Sequence, residues 1–88
     1  MPELRLTQRA KEDLTSLPVL VREAVLETLE LIGREPEETG KKLVGSLEGL
    51  WSARVGNYRI LYTVERTRVA VRAIRHRAVA YQSRRQRP

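Results

Sequence analysis

Residues 50–62 read Leu-Trp-Ser-Ala-Arg-Val-Gly-Asn-Tyr-Arg-Ile-Leu-Tyr, and this stretch decides the fold. Gly56-Asn57 at its centre is a favoured pair for a two-residue turn between antiparallel strands, because such turns need positive φ. On either side of the turn, apolar or aromatic side chains alternate with other residues, which is the period of a strand that buries one face. The apolar set comprises Trp51, Ala53, Val55, Tyr58, Ile60, Tyr62 and Val64. The opposite face then carries Arg54 and Arg59 near each other across the turn, an arrangement suited to an anionic ligand.

Length and composition bound the remaining possibilities. A chain of 88 residues predicts a single domain over residues 1–88, with a basic tail at 82–88. The absence of cysteine excludes disulfides and thiolate metal sites, and the sequence offers no glycine-rich phosphate loop or cluster of metal ligands, so we expect no cofactor and no metal. Neither a membrane-spanning apolar run nor a signal peptide is visible, which favours a cytoplasmic protein with no membrane partner.

Charge divides the chain into two halves. Residues 1–49 contain seven Lys or Arg and ten Asp or Glu, a net charge of −3. Residues 50–88 contain ten Arg and a single acid, Glu65, a net charge of +9. All of the basic residues in that half are arginine, which makes bidentate contacts with phosphate and carboxylate. The asymmetry favours a nucleic-acid or acidic protein partner over a merely solubilising surface.

The remaining segments predict the layers of the domain. A short strand around Leu4 and Leu6 precedes Thr7, a helix N-cap, and two helices follow, the second ending near Gly33. Their apolar positions are Ala10, Leu14 and Leu17 in the first helix and Val21, Val25, Leu29 and Ile32 in the second. Residues 34–49 form a polar connector, and a last strand runs from Arg68 to about Ile74. Both faces of that strand are partly apolar, with Val69 and Val71 on one and Ala70, Arg72 and Ile74 on the other, so its orientation stays open. We therefore predict an α/β (α+β) fold, in which two helices cover one face of a mostly antiparallel four-stranded sheet and leave the arginine face open.

Four motifs in this sequence resemble the RelE/ParE superfamily of bacterial toxins from type II toxin–antitoxin systems. They are Gly-Lys-Lys-Leu at 40–43, Leu-Glu-Gly-Leu-Trp at 47–51, Arg54 to Tyr62, and His76-Arg77 with Tyr81 four residues later. The resemblance implies a RelE-like fold and a cognate antitoxin whose extended segment wraps the toxin, giving a toxin–antitoxin hetero-oligomer. RelE-type members cleave messenger RNA in the ribosomal A site, whereas ParE-type members poison DNA gyrase.

The resemblance also assigns roles to individual residues. Arg59 and Arg77 match the positions that hold the scissile phosphate, and Tyr81 matches a tyrosine that acts as general base or stacks on a base. Arg54 and Ser52 fall at two positions that are lysine in the best-known ribosome-dependent members. Because serine carries no charge and arginine is a poor proton donor, the identity of the general acid stays open, and His76 is a candidate on chemical grounds. Further phosphate contacts, on messenger RNA or 16S ribosomal RNA, are expected from Arg72, Arg75, Arg84 and Arg85.

Three functions remain open at this point. The set of Arg59, Arg77 and Tyr81 favours a metal-independent messenger RNA endonuclease, because a gyrase-poisoning relative would not need it. A ParE-type gyrase inhibitor is the first alternative. The second alternative is an inactive relative that only binds an antitoxin or nucleic acid. The uncharged side chain of Ser52 supports this alternative.

Overall fold

A computed structural model describes residues 3–45 and 49–77 of the chain. The elements in chain order are β1 (Glu3–Leu6), α1 (Gln8–Thr15), α2 (Val19–Arg34), α3 (Pro36–Thr39), β2 (Lys41–Lys42), β3 (Leu50–Val55), β4 (Tyr58–Val64) and β5 (Arg68–His76). No helix in these two ranges is long and apolar enough to cross a membrane.

The strands form one sheet in the order β1-β5-β4-β3-β2. The N-terminal strand pairs in parallel with β5, and the other neighbours are antiparallel. The predicted architecture is therefore confirmed, with two corrections within the described residues: the sheet has five strands rather than four, and a short third helix, α3, follows the two predicted helices. The extra strand is β2, two residues of the segment that the sequence predicts to be a polar connector.

The central hairpin follows the sequence pattern. Val55 pairs with Tyr58 across the turn, so Gly56 and Asn57 form a two-residue loop. Gly56 has a φ of 58° whereas Asn57 does not have positive φ, the pattern of a type II′ turn. Ile60 is fully buried, which confirms that the apolar face of the hairpin lies inward.

Helices α1 and α2 cover the apolar face of the sheet. Thr7 caps α1 as predicted, since its hydroxyl accepts a hydrogen bond from the N–H of Ala10 at 3.2 Å. The predicted stripe of α2 is buried at Val25, Leu29 and Ile32, where it packs in one cluster with residues of β3, β4 and β5. The helix ends at Arg34, one residue beyond the predicted stop, because Gly33 keeps an ordinary negative φ.

A β-bulge in β5 decides which side chains of that strand are buried. Leu61 pairs with Ala73 whereas Tyr62 pairs with Val71, so Arg72 is the extra residue. The bulge advances the alternation by one position, and Ile74 therefore joins Val69 and Val71 in the core instead of sharing a face with Arg72. The sequence prediction for the faces of this strand was wrong at Ile74 for this reason.

Helix α1 stabilises the bulge through two side chains. The hydroxyl of Thr7 donates to the carbonyl of Arg72 at 3.1 Å. The carboxylate of Asp13 accepts a hydrogen bond from the N–H of Ile74 at 2.9 Å. These contacts satisfy polar groups of the irregular strand and fix β5, which carries the candidate site residues Arg72, Arg75 and His76, relative to the helix layer.

Candidate nucleic-acid interface

The open face of the sheet carries a row of three arginines on adjacent strands. Arg54 on β3 pairs in register with Arg59 on β4, and Arg59 pairs with Arg75 on β5. Paired residues of antiparallel strands point to the same face, with Cβ atoms about 4.5–5.5 Å apart. Like charges placed directly opposite each other are destabilising, so this row costs folding free energy and concentrates positive charge on the open face.

Arg75 adds a second indication of a ligand. Its Nε atom is buried and has no hydrogen-bond partner within residues 3–45 and 49–77. An unsatisfied buried donor costs free energy, more when the group is charged. Arg59, the residue opposite it on β4, is half-buried as well.

A groove of about 420 Å³ begins at this row and continues to the edge of the sheet. Its lining residues are Thr39, Gly40, Lys41, Leu43, Ser52, Arg54 and Arg59. Three of these side chains are cationic and none is acidic. A groove with that lining fits a chain of phosphates better than an apolar ligand.

Lys41 is the residue of this groove that sequence reasoning missed. It pairs in register with Ser52, an uncharged side chain at a position where a cation was expected. A dipeptide of two lysines in a polar connector has no periodicity that would indicate a strand. The neighbouring Gly40 was the available signal, because a glycine beside an aromatic core often marks a close approach between backbones.

The geometry around Gly40 explains why the edge strand lies there. A Cβ atom at this position would collide with the hydroxyl of Tyr62 and lie 2.8 Å from the carbonyl oxygen of Ser52. The Tyr62 hydroxyl in turn donates to the carbonyl of Pro36 at 2.7 Å. Burial raises the pKa of Tyr62, partly offset by a hydrogen bond from the backbone of Gly40, so the phenol stays protonated as a donor.

Other predicted site residues lie apart from the row. Arg72 forms an ion pair with Glu65 at 3.6 Å and lines a second, more apolar cavity of the open face with Leu50, Leu61 and Thr63. His76 pairs in register with Tyr58 and meets its ring edge-on at 4.9 Å between centroids. Because Tyr58 packs against the core, this contact places His76 on the helix side, away from Arg59.

Arg77 follows β5 and is exposed. Its backbone N–H donates to the carbonyl of Asn57 at 2.8 Å, which places it at the turn end of the central hairpin. In register, Arg75 is therefore the residue opposite Arg59, two positions before the arginine that the resemblance selects. Tyr81, Arg84 and Arg85 lie outside the described residues. Within those residues, no group of three or more potential ligands could hold a metal ion.

The fold and the basic face define a toxin of the RelE/ParE superfamily. Residues 4–81 match the model of the family described as the ParE toxin of the type II toxin–antitoxin system, parDE. The chain is 41% identical over 81 residues to toxin RelG of Mycobacterium tuberculosis, covering 89% of this chain and 93% of that protein. It belongs to this family of type II toxins.

Solved structures agree with this assignment. The toxin–antitoxin complex RelBE2 from M. tuberculosis contains a chain of 38% identity with a TM-score of 0.78, and the match covers 88% of this chain and 100% of that chain. A chain of the chromosomal ParDE toxin–antitoxin system from P. aeruginosa has a TM-score of 0.71 at 12% identity, covering 86% of this chain and 96% of that one. The second match shows the fold alone, and it means that the fold does not distinguish the RelE branch from the ParE branch.

Proposed function

We propose that this toxin is a metal-independent endonuclease that cleaves messenger RNA on the ribosome and is neutralised by a cognate antitoxin. The observation that carries the proposal is the row of Arg54, Arg59 and Arg75 on the open face of the sheet. A gyrase inhibitor that acts only by binding has no need for guanidinium groups fixed at one point. A nuclease does, because the scissile phosphate gains negative charge on the way to its five-coordinate transition state.

The reaction needs no group beyond the chain and its substrate. A base removes the proton of the 2′-hydroxyl, the 2′ oxygen attacks phosphorus, and the bond from phosphorus to the 5′ oxygen breaks. The products are a 2′,3′-cyclic phosphate and a 5′-hydroxyl. We assign Arg59 and Arg75 to the phosphate, Arg77 to a neighbouring contact, and Tyr81 to the proton of the 2′-hydroxyl. A general base must lose its own proton first, and nearby positive charge favours the ionised form of a tyrosine.

Two observations support an antitoxin partner: the net charge of residues 50–88 and the similarity to a chain solved in a toxin–antitoxin complex. Ten arginines against one acid over residues 50–88 leave an excess of +9, which repels itself unless a partner neutralises it. The related M. tuberculosis chain was solved in a toxin–antitoxin complex. An antitoxin segment rich in Asp or Glu on the open face would neutralise the row and block access of RNA to it.

Inhibition of DNA gyrase is the second candidate. One observation favours it, namely that the matching family is described as ParE toxin across residues 4–81. The two candidate functions differ in whether they require the arginines of the open face. Cleavage requires Arg59 and Arg75, whereas a binding protein that uses another surface would tolerate their loss.

The decisive experiment adds the purified toxin to translating ribosomes and, in parallel, to gyrase in a supercoiling assay. We expect reporter transcripts to be cut during translation and gyrase to be unaffected. Arg59→Ala and Arg75→Ala should each reduce the cleavage rate about 100- to 1000-fold, the usual effect of removing one transition-state donor. Arg66→Ala, an exposed arginine in the bend between β4 and β5, is the matched control. Intact transcripts together with inhibited gyrase would overturn the nuclease proposal in favour of the second candidate.

A further inference from the structure

The proposed cleavage leaves one chemical requirement without a residue. The 5′ oxygen departs as an alkoxide unless a proton donor meets it, and general acid catalysis typically contributes about 100- to 10,000-fold in rate. Arginine is a poor donor because its pKa is above about 12. The three arginines of the row therefore stabilise charge without supplying this proton, and Ser52 beside them is not a cation.

Lys41 lies in the groove beside the arginine row. Its strand β2 pairs with β3 so that Lys41 is opposite Ser52, and both side chains line the groove that Arg54 and Arg59 also line. Arg54 follows Ser52 by two residues on β3, so the lysine is adjacent to the arginine row on the same face. Lys41 is exposed, which leaves its ammonium group accessible to a substrate in the groove.

The backbone that carries Lys41 is fixed on both sides. Gly40 packs against Tyr62 and the backbone of Ser52 without room for a side chain. Beyond the strand, the N–H of Leu43 donates to the carbonyl of Leu50 at 2.8 Å. A lysine at this point is thus tethered within reach of the groove, although its own chain is long and flexible.

We propose that Lys41 is the general acid of the cleavage reaction, a role that rests on the proposed nuclease function. Its ammonium group gives a proton to the 5′ oxygen as the bond between that oxygen and phosphorus breaks. The neutral amine then regains a proton from water. Lys41 in this way supplies, from the neighbouring strand, the cation that position 52 lacks.

Lys42 provides a control within the same strand. It pairs in register with Trp51, whose side chain packs against the core on the helix side of the sheet. Lys42 therefore faces away from the groove while sharing the charge, exposure and strand of Lys41. A general effect of positive charge near the RNA would appear in variants of both residues, whereas a specific role would appear only at Lys41.

The test measures single-turnover cleavage of a short messenger RNA in the A site of programmed ribosomes. We expect Lys41→Ala to lose about 100-fold or more in rate, Lys42→Ala to match the parent, and Lys41→Arg to stay slow although it keeps the charge. The same RNA with sulfur in place of the 5′ oxygen has a leaving group that needs no proton. On that substrate Lys41→Ala should regain the rate of the parent, whereas Arg59→Ala should remain slow.

A double variant tests whether a lysine on the neighbouring strand can replace Lys41. Ser52→Lys added to Lys41→Ala should restore part of the activity, because the paired Cβ atoms are only about 5 Å apart. Full activity of Lys41→Ala or Lys41→Arg on the ordinary RNA would overturn the role of Lys41 while leaving the nuclease function intact. A persistent defect of Lys41→Ala on the sulfur substrate would likewise overturn proton donation. Failure of the parent protein itself to cleave either RNA would instead refute the nuclease function.

Discussion

The hydroxyl of Tyr62 donates a hydrogen bond of 2.7 Å to the carbonyl oxygen of Pro36. Tyr62 is a fully buried residue of β4, and Pro36 begins the short helix α3 that leads into β2. This single contact therefore connects the core of the sheet to the segment that carries Gly40 and Lys41. It links the stability of the fold to the geometry of the groove.

Removing the Tyr62 hydroxyl should lower the free energy of unfolding, and the loss should be smaller at alkaline pH. Tyr62→Phe keeps the ring but leaves the Pro36 carbonyl without this donor, so we expect a loss of about 1 kcal/mol in the free energy of unfolding near neutral pH. Burial raises the pKa of Tyr62 above its ordinary value of 10.0. The unfolded chain thus releases the phenolic proton at a lower pH than the folded chain does.

The sign of the pH effect follows from linkage. The stability due to the protonated phenol is fully present below about pH 10 and is lost as the pH rises from there through the raised pKa. Tyr62→Phe has no proton to lose at this site, so the difference in stability between parent and variant should narrow above about pH 10. Urea unfolding of both proteins on either side of that pH measures it, and a constant difference would contradict the raised pKa.

Two glycines should respond in opposite ways to the same substitution. Gly40→Ala forces a methyl group against the Tyr62 hydroxyl and the Ser52 carbonyl, and we expect it to cost about 1–3 kcal/mol and to displace β2. In α2, the new methyl group of Gly33→Ala meets only the side chain of Leu4, whose Cβ lies 3.6 Å away in ordinary contact, so this variant should stabilise the protein by about 0.5–1 kcal/mol. Thermal unfolding of the two variants gives the comparison. A neutral Gly40→Ala would mean that β2 is free to move.

These contacts also show why the sequence predicts some parts of the fold and not others. The hairpin and the stripe of α2 are recognisable because each repeats a simple period over many residues, and a residue such as Ile60 then has one possible face. Strand β2 is too short to show any period, and it exists because Gly40 allows the backbone to approach Tyr62 and Ser52. That approach depends on tertiary packing, which a local pattern does not contain.

The sequence predicts which face of the sheet carries the arginines, but not which residue of β5 lies opposite Arg59. The alternation in the hairpin places Arg59 on the open face without any structure. Its partner on β5 depends on the bulge at Arg72: continuing the register of Tyr62 with Val71 without the bulge would place Ile74 opposite Arg59, and the bulge places Arg75 there instead. The bulge does leave a trace in the sequence, because Val71 is followed by Ile74 at a spacing of three instead of two.

The bulge itself should depend on Asp13. Its carboxylate accepts the N–H of Ile74 and is mostly buried, with 19% of the side chain exposed. Asp13→Ala leaves this N–H without its partner, and we expect a loss of about 1–3 kcal/mol. Asp13→Asn retains an acceptor oxygen and should lose less. Chemical denaturation measures the free energy of unfolding of both variants. Glu12→Ala, on the exposed side of the same helix, is the control. Equal losses for Asp13→Ala and Glu12→Ala would contradict the role of this contact.

The arginine row should limit the stability of the toxin. Arg59 lies opposite both Arg54 and Arg75, and each like-charged pair opposes folding by roughly 0.2–1 kcal/mol. Arg59→Gln keeps part of the side-chain stem and removes the charge, so we expect a higher melting temperature together with loss of the proposed activity, whereas Arg66→Gln should change neither. The gain should shrink towards about 1 M salt, where charges are screened beyond roughly 3 Å. Melting curves at low and high salt measure this effect. An Arg59→Gln variant that melts below the parent at low salt would contradict the prediction, because it would show that the packing of Arg59 stabilises the fold by more than the charge repulsion destabilises it.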